Sequence, residues 1–403
     1  MESIKPIFRI GRGPSSSHTM GPDRAATLYR AKHESAQSFR VTLYGSLAST
    51  GKGHLTDVAI LNELKPAEVD LVWRPEKILD FHPNALKFEV MDQNSDPDPW
   101  LVYSVGGGQI LDEQNKNRQP EIIYTQKNMQ DVLAHYKSTG KVFWELVYDT
   151  EGEAIKEHLI EVWQVMQTSI ERGLENEGLI PGGLKLQRKA ASYFAKSRNL
   201  EGHAKTLCKL FSYALAVAEQ NACCGEVVTA PTCGSAGVLP AVLKISKEFY
   251  GASDANVIRA LATAGLVGNI VKHNASISGA EVGCQGEIGT ACAMASAAAA
   301  QLAGGSPAQI EYAAEMGLEH HLGLTCDPIN GLVQIPCIER CVHAASRAFD
   351  SARYAILSDG KHFISFDVVT QVMKKTGQDM PSLYRETALG GLAVFGGGDF
   401  VEN

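Results

Sequence analysis

SISGAEVGCQGE at 276–287 and LTCDPINGLVQIPCIER at 324–340 are the stretches that decide how the fold is interpreted. An alanine-rich segment, typical of a closely packed helix, separates them. Cys284, Cys326 and Cys337 lie in turns broken by glycine and proline, where the backbone is free to aim thiolates at one point. Cysteines in mid-helix more often fill apolar space. We therefore predict a helical domain whose turns carry a candidate metal site.

The number of cysteines in these turns favours some sites over others. A structural zinc ion takes four protein ligands, and an electron-transfer iron-sulfur cluster usually has four cysteines. Three cysteines on a four-iron cluster would leave one iron free to take substrate oxygen as a Lewis acid. The gaps of 41 and 10 residues fit no compact metal motif. Spacing alone therefore slightly favours buried free thiols.

Several separate blocks of the sequence together resemble one family. They are GPSSSHTMGP at 13–22, YGSLASTGKGHLTD at 44–57, YSVGGG at 103–108, PGGLK at 181–185, VVTAPTCGSAGVLPA at 227–241, NASISGAEVGCQGE at 274–287, LTCDPINGLVQIPCIER at 324–340 and YRETALGGLA at 384–393. In this order the chain resembles the iron-sulfur-dependent bacterial L-serine dehydratases (L-serine ammonia-lyases), in the form that joins a beta-type and an alpha-type domain. The blocks run through nearly the whole chain, and together they are highly specific.

The resemblance implies a mechanism and a set of residues. A [4Fe-4S] cluster on three cysteines would bind L-serine and eliminate water, without pyridoxal phosphate, to give pyruvate and ammonia. The serine would sit where the two domains meet, and air would destroy the activity. The implied cluster ligands are Cys284, Cys326 and Cys337. His54 is our first choice as catalytic base and His18 our second, and the expected substrate-binding residues are Ser15, Ser16, Ser17, Thr19, Thr232, Ser276 and Ser278.

The chain also departs from the family pattern. Cys233 stands where the family usually has asparagine. No cysteine follows the GGLA motif at 390–393, so the alternatives for the open iron are a carboxylate of Asp399, Glu402 or the C-terminus, or water. Cys341, one helical turn beyond Cys337, is a less favoured ligand, and Cys292 is expected in the core. Without the resemblance, the segment 15–19 is as typical of a capped helix start as of a substrate-binding loop.

Composition narrows the class of protein. The chain has 403 residues, enough for two or three domains, and is 44% hydrophobic. Its 37 Lys and Arg and 45 Asp and Glu give a formal net charge of −8, which argues against nucleic acid or an anionic membrane as partner. No apolar leader follows Met1, and nine cysteines, an odd number, suggest the reducing cytoplasm. We expect a cytoplasmic homodimer that acts on the small molecule L-serine.

Hydrophobic spacing predicts an α+β fold, with a mixed α/β domain at 1–148 followed by an all-α domain at 149–403 that carries the cluster ligands. Strands are expected near 39–47, 69–73, 86–90 and 101–105. Helices are expected near 155–173, 185–197, 203–222, 236–250, 254–270, 286–303, 307–321, 334–357 and 366–375.

Other functions remain open at this point. The helical half also resembles cysteine desulfidases, which release sulfide from cysteine. A non-enzymatic iron-sulfur sensor would hold a cluster without turnover, and a zinc-stabilised structural protein would contain zinc but no sulfide.

Overall fold

The computed structural model describes residues 1–92, 96–117, 120–387 and 390–395. Contacts divide the chain into a mixed unit, Gly11–Pro120, and a helical unit made of Met1–Ile10 and Glu121–Asn403. The expected ranges, 1–148 and 149–403, differ from these units at both ends of the first domain. The first residues belong to the helical unit because the Met1 ammonium donates to the Tyr124 carbonyl at 2.9 Å.

The mixed unit is a five-stranded sheet with helices. Its sheet has the order β3-β2-β4-β5-β6, in which β2 and β3 are parallel and the other neighbours antiparallel. Phe39, Val41 and Leu43 of β2 are buried with Tyr29 of α1 in one apolar core. The elements of this part of the chain are β1 (Ile10–Arg12), α1 (Gly21–Lys32), β2 (Ser38–Tyr44), α2 (Gly45–Thr50), α3 (Thr56–Leu64), β3 (Glu68–Arg74), β4 (Ala85–Val90), β5 (Trp100–Gly106) and β6 (Gln109–Asp112).

The helical unit confirms the predicted α+β class, since helices follow the mixed sheet along the chain. Its elements are α4 (Met129–Thr139), α5 (Phe143–Glu151), α6 (Glu153–Glu175), α7 (Ala190–Ser197), α8 (Gly202–Ala222), β7 (Glu226–Val228), α9 (Val238–Tyr250), α10 (Asp254–Asn274), α11 (Gly279–Val282), α12 (Thr290–Leu302), α13 (Pro307–Glu319), α14 (Cys337–Leu357), α15 (Phe366–Asp379) and α16 (Leu392–Phe395).

One strand departs from the expected all-α domain. β7 carries the β-branched pair Val227 and Val228, which favours extended backbone. The chain stays extended to Thr229, whose amide donates to the Arg9 carbonyl at 2.9 Å and whose hydroxyl accepts from the Arg9 amide at 2.9 Å. These bonds satisfy backbone groups that a helix would satisfy internally.

The alanine-rich helix α12 is the centre of the helical unit. Every residue from Thr290 to Ala300 is buried, and α9, α10, α13 and α14 pack around it. Small side chains let these helices approach closely: a Cβ on Gly317 of α13 would lie 3.0 Å from the Ala293 backbone. Cys292 is fully buried here, which confirms it as a core residue. Among the described residues no helix is both long and apolar enough to cross a membrane.

Candidate active site

Three cysteines that are far apart in sequence lie in one region of the helical unit. Cys284 precedes a π-helical turn at Gln285–Gly289 that leads into α12. Cys337 is the first residue of α14, and Cys326 lies in the irregular segment before it. The Cys326 thiol is hydrogen-bonded to Cys284, and the charge of Cys284 also acts on Cys337. The fold thus brings together the cysteines that the sequence predicts as cluster ligands.

These thiols have an environment that opposes negative charge. The hydrogen bond to Cys284, then burial, then the nearby Glu287 raise the pKa of Cys326 well above its usual value. Burial, followed by the charges of Cys284 and Glu287, does the same to the pKa of Cys337. A bound metal reverses such shifts because its positive charge stabilises thiolates outright.

The cysteines are not arranged as ligands of a single metal ion. Within the described ranges, no three His, Cys, Asp or Glu side chains are arranged to hold one metal ion. The cysteines of a four-iron cluster bind separate irons, so that arrangement is not required for it. A set of three soft thiol ligands therefore fits a cluster better than it fits a mononuclear site.

Glu287, which the sequence did not single out, lies against both Thr232 and Cys326. Its Oε1 accepts a 2.7 Å hydrogen bond from the Thr232 hydroxyl, and its Oε2 lies 3.7 Å from the Cys326 Sγ. A Cβ on Gly279 would lie 2.7 Å from that Oε2 and 3.1 Å from the same Sγ, so a larger residue there would crowd both atoms. Burial raises the pKa of Glu287. A usable signal existed, because Glu287 is the one charged residue in 282–300.

The other predicted substrate-binding residues of this unit hold turns. Thr232 lies at the start of the turn Cys233–Ser235 and is the one that contacts Glu287. Ser276 accepts a 3.0 Å hydrogen bond from the Ser278 amide just before α11. Two other cysteines lie near this turn: Cys233 is itself buried, and the Cys341 thiol donates to the Gly234 carbonyl at 3.2 Å. That bond gives Cys341 a structural partner within the protein.

The C-terminal segment is bonded to the Cys326 loop. The Cys326 amide donates to the Tyr384 carbonyl at 2.8 Å, and its carbonyl accepts from Thr387 at 3.1 Å. The buried Asp327 carboxylate accepts from the Leu392 amide at 2.9 Å. The carboxylates of Asp399 and Glu402, considered above as ligands, lie outside the described residues.

In the mixed unit, the predicted serine and histidine residues form a second cluster. A π-helical turn at Ser16–Met20 begins at Ser15, whose hydroxyl accepts from the His18 amide at 3.1 Å. Thr19 is buried and its hydroxyl donates to the His54 carbonyl at 2.6 Å. The rings of His18 and His54 are 4.6 Å apart between centroids. π-Helical turns occur often at functional sites, and both candidate regions of this chain contain one.

The two histidines differ in the nitrogen atoms they leave available. His18 Nδ1 lies 2.9 Å from the Ser17 hydroxyl, and its Nε2 lies 3.0 Å from the Ser46 hydroxyl. His54 Nδ1 lies 3.1 Å from the Thr50 carbonyl, which can only accept, so the neutral ring carries its proton on Nδ1. Among the described residues His54 Nε2 has no hydrogen-bond partner, so its lone pair is available.

Burial keeps both rings neutral. It lowers the pKa of His54 to about 4, against a smaller opposing effect of the Thr50 carbonyl. Burial, and then the charge of His54, also hold the pKa of His18 well below its usual value. A neutral imidazole is free to accept a proton, but a lowered pKa also makes it a weaker base, so burial sets the protonation state of the rings and not their role.

Comparisons with known proteins identify the family of this chain. The model for the serine dehydratase beta chain matches residues 3–70, and that for the alpha chain matches residues 60–393. An L-serine dehydratase of Streptomyces coelicolor is 42% identical, over 97% of this chain and 98% of its own. An L-serine dehydratase of Haemophilus influenzae is 38% identical, over 98% of this chain and 99% of its own. L-serine dehydratase 2 of Escherichia coli is 39% identical, over 98% of this chain and 99% of its own. The expected family is thereby confirmed: this chain belongs to the serine dehydratases.

Proposed function

We propose that this chain is an L-serine ammonia-lyase that uses a [4Fe-4S] cluster on Cys284, Cys326 and Cys337 to convert L-serine to pyruvate and ammonia. The observation that carries the proposal is the meeting of these three cysteines, separated by 41 and 10 residues, in a chain whose relatives are named L-serine dehydratases. We include in the proposal a homodimer in the cytoplasm that loses activity in air.

The residues present fit such a cluster. Three thiols supply the soft ligands that iron-sulfur centres take, and Gly279 keeps the space beside Cys326 and Glu287 open. When bound, the cluster would supply a Lewis-acid iron for the hydroxyl group that leaves. A structural zinc site fits less well, because it needs a fourth protein ligand. The neighbouring Cys341 already donates its thiol proton to a backbone carbonyl.

Side chains of the protein must remove the Cα proton of the substrate. Elimination breaks the Cα–H and Cβ–O bonds of serine, and the resulting aminoacrylate tautomerises and hydrolyses to pyruvate and ammonia. We assign proton removal to Nε2 of His54, because its lone pair is free and its ring is neutral. His18 is the second choice, since serine hydroxyls lie against both of its nitrogens.

The polar residues around these histidines would hold the base and bind the substrate carboxylate. Ser15 and Thr19 already order the His18 and His54 backbone, and Ser17 contacts the His18 ring. We propose substrate contacts for these three residues, for Ser16, and for Thr232, Ser276 and Ser278 of the helical unit.

The test is anaerobic purification with iron, sulfide and pyruvate measured on the same sample. We expect iron and sulfide in about equal amounts, and activity that falls with iron content on exposure to air. Cys284→Ser, Cys326→Ser and Cys337→Ser should each lose cluster and activity together.

Cys208→Ser is the matched control for these variants. The Cys208 thiol donates to the Tyr193 carbonyl at 3.2 Å, a bond that a serine hydroxyl keeps, so cluster content and activity should stay at wild-type levels. Full activity in protein without iron would contradict the proposal. Faster release of pyruvate and sulfide from L-cysteine than of pyruvate from L-serine would instead support the desulfidase alternative, and a cluster without turnover would support a sensor.

A further inference from the structure

We propose that Glu287 binds the α-ammonium group of the substrate and thereby makes the site select amino acids over the corresponding hydroxy acids. This inference rests on the proposed function, since it names the group that recognises one end of the serine molecule. It concerns a side chain in the same region as Cys284 and Cys326.

Glu287 is the one accessible side chain in a long buried run. From Val282 to Ala300 every other residue is buried, whereas Glu287 is partly exposed. A charged side chain placed in such a run costs free energy unless a partner compensates it. Glu287 therefore has the accessibility of a ligand-binding group in a segment that otherwise forms core.

The carboxylate is held by a neutral donor and has capacity left. Oε1 accepts from the Thr232 hydroxyl, while Oε2 lies 3.7 Å from the Cys326 Sγ, which carries no proton once it binds the cluster. A carboxylate offers about four acceptor positions, so about three remain. Gly234 and Gly279 flank the two oxygens, because a Cβ on either glycine would approach them to 3.4 and 2.7 Å respectively. The group is thus fixed in direction before a ligand arrives.

No cation of the described protein pairs with this carboxylate. Arg340 acts on Glu287 only from a distance, and its guanidinium donates instead to the Thr325 carbonyl at 2.6 Å. An ammonium group is the small cation that an amino acid carries, and its hydrogen bonds to a carboxylate are charge-assisted. The same negative charge repels the substrate carboxylate, so Glu287 would also fix which end of the amino acid faces it.

The experiment compares two ligands that cannot eliminate water. L-Alanine and L-lactate differ only in carrying an ammonium or a hydroxyl group, and neither has a β-leaving group. Binding to the anaerobic, cluster-loaded enzyme is measured by calorimetry, together with the KM for L-serine and the iron and sulfide content. We expect wild type to bind L-alanine more tightly than L-lactate.

Glu287→Gln keeps the size of the side chain and an acceptor for Thr232 but removes the charge. Loss of a charged hydrogen bond predicts a KM for L-serine and a Kd for L-alanine raised by about 10- to 100-fold, with the Kd for L-lactate unchanged or lower. Glu339→Gln, which removes an exposed charge close to Cys337, is the control and should keep wild-type values. A role only in holding Cys326 would weaken both ligands alike or lower the iron content.

Several outcomes separate this inference from the proposed function. Loaded Glu287→Gln with wild-type affinity for L-alanine overturns the inference and leaves the proposed function intact. Wild-type protein without iron or serine-dependent pyruvate overturns the proposed function itself. If Glu287→Gln does not load, Glu287→Asp replaces it: weaker L-alanine binding with the preference over L-lactate retained supports the inference, and unchanged affinity overturns it.

Discussion

Direct titration of His54 tests the environment that we assign to the catalytic base. Burial lowers its pKa from 6.5 to about 4 in the folded protein. At pH 6 about 1% of His54 should therefore be protonated, against roughly three-quarters of an unperturbed histidine. The shift corresponds to about 3 kcal/mol of unfolding free energy. Because the unfolded state binds the extra proton, this stability is present above pH 6.5 and is lost as the pH falls towards 4.

The assay is NMR of the histidine ring nuclei during a pH titration under anaerobic conditions. The protein has 12 histidines, and comparison with a His54→Gln variant identifies the resonance of interest. We expect that resonance to stay in its neutral position, with the proton on Nδ1, down to about pH 5. The acid limb of kcat/KM should likewise fall below 6.5, and loss of cluster is monitored at each pH. A His54 resonance that titrates between pH 6 and 7 would refute the buried, neutral base.

Two further substitutions probe the packing around the thiols. Gly279→Ala would place a Cβ 2.7 Å from Glu287 Oε2 and 3.1 Å from Cys326 Sγ. We therefore expect iron content and activity to fall together while the circular dichroism spectrum stays unchanged. Normal iron content would show that the space is not needed. Asp327→Ala would remove the acceptors of the Leu392 amide and of the Thr325 hydroxyl, and we expect a loss of about 1–3 kcal/mol in chemical denaturation. Unchanged stability would mean that this carboxylate does not hold the C-terminal segment.

Much of the fold could be predicted because local signals and packing agree. The helix expected at 307–321 is α13, where Ser306 and Gln309 each bond the other's backbone amide in a capping box. The helix expected from 286 begins later, at Thr290, because the residues before it form the wider π-helical turn. Hydrophobic periodicity does not distinguish such a turn from an α-helix.

The helix start expected near residue 149 shows where local signals mislead. Asp149, Thr150 and Glu151 resemble the start of a helix, yet they end α5. The break comes at Gly152, whose φ of +72° suits glycine and separates α5 from α6. Whether α5 packs with the sheet or with the helices depends on tertiary contacts, and these place it in the helical unit.

The sequence indicates candidate residue types for the site but not their charge balance. Family motifs point to the cysteines, histidines and serines, because each belongs to a block with a recognisable pattern. They give no measure of which charges are paired. That His54 keeps a free Nε2 while His18 has hydroxyls on both nitrogens depends on the positions of Thr50 and Ser46 in the folded chain.

The charge balance of the helical unit also explains why one site would suit both a cluster and an amino acid. Cys284 and Glu287 raise the cost of a negative charge on Cys326 and on Cys337. Iron would relieve the thiols, since metal binding stabilises thiolates. Glu287 would remain without a paired cation among the described residues. An ammonium group would stabilise the negative charge of that carboxylate. Cluster loading should therefore strengthen binding of L-alanine relative to L-lactate only where Glu287 is retained.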